Sequence, residues 1–296
     1  MTPLIELRNV SKVFGGGGML SQRQVVALKD FSHTIESEPA TITAVVGESG
    51  SGKSTMANLL LGLEAPSGGE VLYNGKNLGN LSRQERRTFR REVQAIFQDP
   101  YGVYNSFYKV DHVLTTPVAK FKMADSKEQT QELIERALLA VGLRPEETLG
   151  RYPHQLSGGQ RQRTMIARTL LLRPKIIVAD EPVSMVDASL RVTILGNLLK
   201  LKRDFGISLV YITHDLATAY QISDHIIVLH RGAVVEEGTP EQVVKHPQHA
   251  YTKLLIGSIP QADPSKAWGD GLTEIDSGLM EELDLEISVT VLQNGH

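Results

Sequence analysis

Gly47-Glu48-Ser49-Gly50-Ser51-Gly52-Lys53-Ser54 stands directly after the apolar run Thr41–Val46 and before a helical run from Thr55 to Leu61. Glycines let the backbone curl until successive N–H groups face one anion, and the helix that follows adds the positive end of its dipole. The stretch reads as a phosphate cradle. Gly47, Glu48, Ser49, Gly50, Ser51, Gly52 and Thr55 shape it, Lys53 reaches the β- and γ-phosphates of a nucleotide, and the Ser54 hydroxyl ligates Mg²⁺. A strand entering such a loop and a helix leaving it begin an α/β domain.

Working outward, strand-like segments recur at Leu4–Leu7, Val71–Tyr73, Val93–Phe97, Ile176–Ala179, Ser208–Thr213, Ile226–Leu229 and Ala233–Glu237. Several are apolar along their whole length, which suits strands of a parallel sheet buried on both faces. Between Tyr108 and Leu172 the strand signal disappears. That stretch, with Gln129–Val141 and Gln160–Leu172 as its clearest amphipathic helices, reads as a helical insertion at about 105–172 between two sheet strands. Gly15-Gly16-Gly17-Gly18 is a loop of low complexity.

Ile176-Ile177-Val178-Ala179-Asp180-Glu181 carries two adjacent acids at the C-terminal end of a buried strand, where open α/β sheets bind ligands. Successive strand side chains point to opposite faces, but the chain turns at a strand end. Asp180 can then face the metal while Glu181 faces an attacking water. A phosphate loop alone could belong to a kinase, a GTPase or a helicase.

Composition narrows the classes. Of 296 residues, 41% are hydrophobic and 22% charged, the balance of a packed globular chain. No apolar run approaches the roughly 20 residues that cross a bilayer. Met1-Thr2-Pro3-Leu4-Ile5-Glu6 lacks the basic and apolar regions of a secretory signal, so a cytosolic address is expected. The absence of cysteine excludes disulfides and thiolate metal sites, but not magnesium, which prefers oxygen. A net charge of −3 gives no reason to expect nucleic acid as a partner. The charge is uneven: residues 261–296 hold 8 acids and one lysine, leaving 30 basic and 26 acidic side chains in the first 260. With a Pro-containing junction at 258–264, this divides the chain into a body, 1–260, and an acidic extension, 261–296.

Leu156-Ser157-Gly158-Gly159-Gln160 decides among the nucleotide-binding classes. By composition it arises in well under about 0.1% of chains of this length, and Ser157 is placed to N-cap the helix that follows. Here the chain resembles the nucleotide-binding subunit of ATP-binding cassette (ABC) transporters, over residues 4–260. The resemblance implies a P-loop NTPase core with a RecA-like mixed or parallel sheet, an antiparallel β subdomain and the inserted helical subdomain. It also implies that Ser157, Gly158, Gly159 and Gln160 bind the γ-phosphate of ATP held on a partner subunit.

Other positions match the family one at a time. Gln98 resembles the Q-loop glutamine, which touches Mg²⁺ and the attacking water. His214 resembles the switch histidine at the γ-phosphate. Asp187 resembles the D-loop aspartate, although Met185-Val186 stands where the family usually has Ala-Leu. Phe14 resembles the aromatic that stacks on adenine. Glu181 is then the general base, and Lys53, Gln98 and His214 complete the catalytic set. The implied assembly is two cassettes, identical or paralogous, with two transmembrane permease subunits at the cytoplasmic face of the inner membrane and, for an importer, an extracytoplasmic solute-binding protein.

Gln98-Asp99-Pro100-Tyr101, Tyr152-Pro153-His154-Gln155 and His246-Pro247-Gln248-His249-Ala250-Tyr251-Thr252 together resemble the oligopeptide/dipeptide/nickel importer ATPases. Residues 102–108 depart from that subfamily's pattern. The subfamily includes oligosaccharide importers, which stand as the alternative to peptide uptake. A soluble cassette acting on nucleic acid or the ribosome is a rival from another class; such proteins tend to carry two cassettes, a long coiled coil or zinc cysteines. The acidic extension reads as a solvated tail, with Leu285–Leu292 as an alternating stretch that could add a strand. A chain ending at residue 260 is expected to assemble and hydrolyse ATP at the full-length rate; loss of either function would make the tail a docking segment.

Overall fold

The computed structural model describes residues 3–15, 24–97, 104–184, 186 and 188–258. An antiparallel sheet has the order β2 (Val25–Ile35), β1 (Ile5–Phe14), β4 (Gly68–Tyr73), β5 (Lys76–Asn77). A six-stranded sheet has the order β10 (Ala233–Gly238), β9 (His225–His230), β3 (Ile42–Val46), β8 (Ser208–Thr213), β7 (Ile176–Asp180), β6 (Val93–Ile96). Its pairs are parallel except β10 with β9. This is the mixed sheet with an antiparallel subdomain that the P-loop resemblance implies.

Helix α1 (Lys53–Leu60) leaves the loop after β3, and α2 (Arg83–Glu92) leads into β6. Helices α3 (Asp111–Phe121), α4 (Lys127–Ala140), α5 (Pro145–Thr148) and α6 (Gly158–Leu171) all lie between β6 and β7, which are parallel neighbours. The expected helical insertion is therefore one long crossover. Helix α7 (Ala188–Phe205) joins β7 to β8, α8 (Leu216–Ile222) joins β8 to β9, and α9 (Pro240–Lys245) and α10 (Ala250–Gly257) follow β10.

The six-stranded sheet divides two cores. Ala44, Val46, Ile177, Ala179, Leu209, Tyr211, Ile226 and Val228 face the core built with the inserted and C-terminal helices. Their strand neighbours Val45, Ile176, Val178, Val210, Ile212, Ile227 and Leu229 face α1 and the antiparallel sheet. The alternation is the period-2 geometry of a strand, with apolar contacts on both sides.

Each segment read as a strand lies on one, its ends shifted by at most one residue, except that β1 continues to Phe14 and β4 begins at Gly68. Strands β2 and β5 carry no matching segment in the sequence reading. In β2 the buried residues are Leu28, Phe31 and Ile35, a spacing that is not strict alternation. Register shifts in the β1–β2 ladder break the period, with Asn9 at φ 45° and Asp30 at φ 47°. Ser11 and Ser32 hydroxyls satisfy the main chain there, accepting from Asp30 N at 2.9 Å and Asn9 N at 2.9 Å. Strand β5 is short, but Asn74-Gly75 between β4 and β5 is a hairpin signal that could have located it.

Ile177 is fully buried in the strand that ends at Asp180. Ile177→Ala is expected to cost about 2–5 kcal/mol, measured as a lower denaturant midpoint with the transition slope unchanged.

Candidate functional site

Three strands of the parallel sheet end at one level. Val46 of β3 lies opposite Thr213 of β8, and Ile212 of β8 opposite Asp180 of β7. Residues 47, 181 and 214 therefore leave the sheet side by side, at its carboxyl edge.

The loop from Gly47 is held by close backbone approaches. A Cβ on Gly47 would lie 2.2 Å from Leu229 O, and one on Gly52, at φ 106°, would lie 2.3 Å from Ala27 O. Only glycine fits at either place. Gly52 occupies the N-cap position of α1. Ser51 N–H donates to Glu48 O at 3.2 Å, and Gly232 N–H donates to Ser51 O at 2.9 Å. Ser49, Gly50 and Ser54 are exposed, while Ser51 and Lys53 are buried. Lys53 Nζ donates to Gly47 O and Glu48 O, each at 2.7 Å. Burial lowers the Lys53 pKa, and the charges of Glu181, Asp180 and Glu48 oppose that shift.

Across the edge, burial raises the Asp180 pKa, and the neighbouring Glu181 charge raises it further; Lys53 and a hydrogen bond to Ser54 pull it down. Glu181 adopts φ 43°, a left-handed conformation costly for a residue with a Cβ. The turn is tied down: Glu181 N–H donates to Ile212 O at 2.9 Å, and Ser184 Oγ donates to Glu181 O at 2.9 Å. That conformation brings the Glu181 carboxylate 3.2 Å from His214 Nδ1. His214 is set by its neighbours, since Asp215 N–H donates to Thr213 Oγ1 at 3.0 Å and the Asp215 carboxylate caps α8.

Ser54 and Asp180 form an oxygen pair suited to a hard divalent cation, and a cation would favour the charged Asp180 carboxylate that burial and, after it, the Glu181 charge disfavour. Among the described residues no cluster of three or more His, Cys, Asp or Glu could hold a metal by itself. The donor set thus fits Mg²⁺ held by one or two protein oxygens together with substrate phosphates.

Sequence expectation and geometry meet unevenly beyond this. Lys53, Ser54, Asp180, Glu181 and His214 come together. Ser157 and Gln160 form the predicted cap: Ser157 Oγ accepts from Gln160 N at 3.2 Å, and Gln160 Oε1 accepts from Ser157 N at 2.9 Å. Gly159 packs against the Leu190 side chain of α7. Among the described residues no hydrogen bond joins Ser157–Gln160 to the 47–55 loop. Phe14 ends β1 half-exposed, with Lys12 Nζ 5.0 Å from its ring centroid. Its partner strand β2 touches the loop through Ala27. Gln98 and Asp187 lie outside the described residues. One contact has no local signal in the sequence: Tyr251 Oη accepts the Glu48 N–H at 2.8 Å across a separation of 203 residues.

The model of the ABC transporter family matches residues 28–184, and that of the oligopeptide/dipeptide transporter C-terminal region matches residues 235–282. Over 264 residues the chain is 39% identical to the dipeptide transport ATP-binding protein DppF of Escherichia coli K12, a match covering 88% of this chain and 78% of DppF. Over 262 residues it is 37% identical to the oligopeptide transport ATP-binding protein OppF of Streptococcus pyogenes serotype M1, covering 88% of this chain and 83% of OppF. The dimeric post-hydrolysis structure of the ATP-binding cassette MJ0796, bound to ADP and Pi, is similar with a TM-score of 0.69 at 30% identity. It covers 80% of this chain and 98% of the MJ0796 chain. The chain belongs to the ABC transporter family, as an ATP-hydrolysing subunit of its oligopeptide/dipeptide branch.

Proposed function

We propose that this chain powers the uptake of dipeptides or oligopeptides by hydrolysing ATP at an interface between two cassettes. The observation that carries the reading is the convergence of Lys53, Ser54, Asp180, Glu181 and His214 at the ends of three adjacent strands. The names of DppF and OppF support a peptide cargo, and the dimeric MJ0796 structure with ADP and Pi supports a paired site. The second cassette is identical or paralogous. Two permease subunits form the membrane path, an extracytoplasmic binding protein delivers the solute, and the cassettes act at the cytoplasmic face. Among the described residues no helix is long and apolar enough to cross a membrane.

In this reading the loop amides and Lys53 grip the β- and γ-phosphates. Phe14 stacks on adenine, Ser157–Gln160 of the second cassette cover the γ-phosphate, and Asp187 lies at the same interface. Ser54, Asp180 and Gln98 would hold Mg²⁺, which when bound neutralises charge on the β- and γ-phosphate oxygens. Glu181 takes a proton from water as the water oxygen bonds to the γ-phosphorus. The bond from phosphorus to the bridging oxygen breaks, its electron pair stays on that oxygen, and ADP and phosphate result. His214, with Nδ1 turned to Glu181, orients the carboxylate and offers its other ring edge to a γ-phosphate oxygen. Positioning and charge stabilisation supply most of the rate.

Glu181→Gln is expected to bind MgATP at close to wild-type affinity while phosphate release falls by about 100-fold or more; unchanged turnover would remove Glu181 as the base. Asp180→Asn is expected to lower ATPase activity and raise the thermal midpoint of the nucleotide-free protein at neutral pH. Folding raises the Asp180 pKa, so its ionisation opposes folding. The stability gain should therefore be present above the folded-state value and vanish below the ordinary value of 3.8, where both forms are neutral. A pH-independent gain would assign the effect to packing.

A further inference from the structure

Residues 246–252 carry no part in nucleotide handling so far, yet they reach the phosphate loop. Glu236 of β10 accepts Gln248 N–H at 2.8 Å and His249 N–H at 3.0 Å, one on each carboxylate oxygen. His249, the N-cap of α10, accepts Tyr251 N–H on Nδ1 at 3.1 Å. This seats Tyr251, 3% exposed, with its ring centroid 3.9 Å from that of His230. Its phenol oxygen accepts Glu48 N–H at 2.8 Å. His230, at the end of β9, places Nδ1 3.3 Å from the Glu48 carboxylate.

The peptide unit between Gly47 and Glu48 is thereby held at both ends. Its N–H goes to Tyr251, and its carbonyl takes Lys53 Nζ at 2.7 Å. A trans peptide is planar, with N–H and C=O pointing opposite ways, so turning one end turns the other. Hydrogen bonds in such a series also polarise one another. The series runs from the phenol, through one peptide, to the ammonium that meets the phosphates.

We propose that Tyr251 is a positioning residue for ATP: it sets the plane of the Gly47–Glu48 peptide and, through it, the placement of Lys53. The C-terminal region thus takes part in gripping the nucleotide. The inference rests on ATP being held by the 47–55 loop. The phenylalanine variant keeps the ring on His230 and removes only the acceptor, leaving a part-buried N–H without its partner.

In the full chain, Tyr251→Phe is expected to raise KM for ATP about threefold to tenfold, with kcat within about twofold of wild type. Hydrogen exchange of the Glu48 amide should quicken. A wild-type KM with unchanged exchange overturns the role, as does a loss confined to kcat or a lower thermal midpoint alone. Lys53→Ala, measured alongside by MgATP titration, separates the two levels. Wild-type binding in Lys53→Ala overturns the loop reading itself; lost binding there with a wild-type Tyr251→Phe overturns only the role of Tyr251.

Discussion

The site depends on β3, β8 and β7 ending at one level, because the phosphate loop, the paired acids and His214 each begin where one of these strands stops. In a sheet with one polar face, a slip of one residue exposes the apolar set and is strongly opposed. Here both faces are apolar, and that penalty is weak. Polar ties at the opposite ends of the strands hold the register instead. Ile42 N–H donates to Asp224 Oδ2 at 2.7 Å, Leu209 N–H to Thr41 O at 2.8 Å, and Ser208 N–H to Lys175 O at 3.0 Å. Lys202 Nζ lies 2.5 Å from the Asp224 carboxylate, so α7 is fastened to the same point. One edge of the sheet is pinned so that the other can be aligned.

Burial then works on the charges at the aligned edge. It moves Lys53 down and Asp180 up, each toward its neutral form, while each group's charge favours the charged form of the other. Glu181 adds a second negative charge and a left-handed backbone. These features oppose folding and are sustained by the two apolar cores on either side of the sheet. Catalytic sites commonly show this exchange of stability for poised chemistry.

What could be read from the residues alone was chemistry carried by contiguous stretches. The phosphate loop, Asp180-Glu181 and the Ser157 cap each show their residue pattern within eight residues or fewer, so spacing and residue type are enough to find them, although Leu229, Ala27 and Ile212 fix the first two in place. Strand β2 gives no alternating signal because bulges replace its alternation with the spacing of Leu28, Phe31 and Ile35. His214 and Glu181 each carry a motif signal, but their 3.2 Å contact comes from strand register and from the unusual φ of Glu181. Tyr251 carries no sequence signal beyond its place in a subfamily pattern. Its tie to Glu48 needs the sheet, α9 and the Glu236 clamp to exist first.

At the starts of α6 and α7, a Cβ on Gly159 would fall 2.5 Å from Leu190 Cδ2, the far end of a side chain that can turn. An alanine methyl there would be met by a change of rotamer at Leu190, since no backbone atom stands in its way. An adjustable side chain, not a backbone contact, thus stands between the start of the last inserted helix and α7, which begins four residues after Ser184 closes the turn at Glu181.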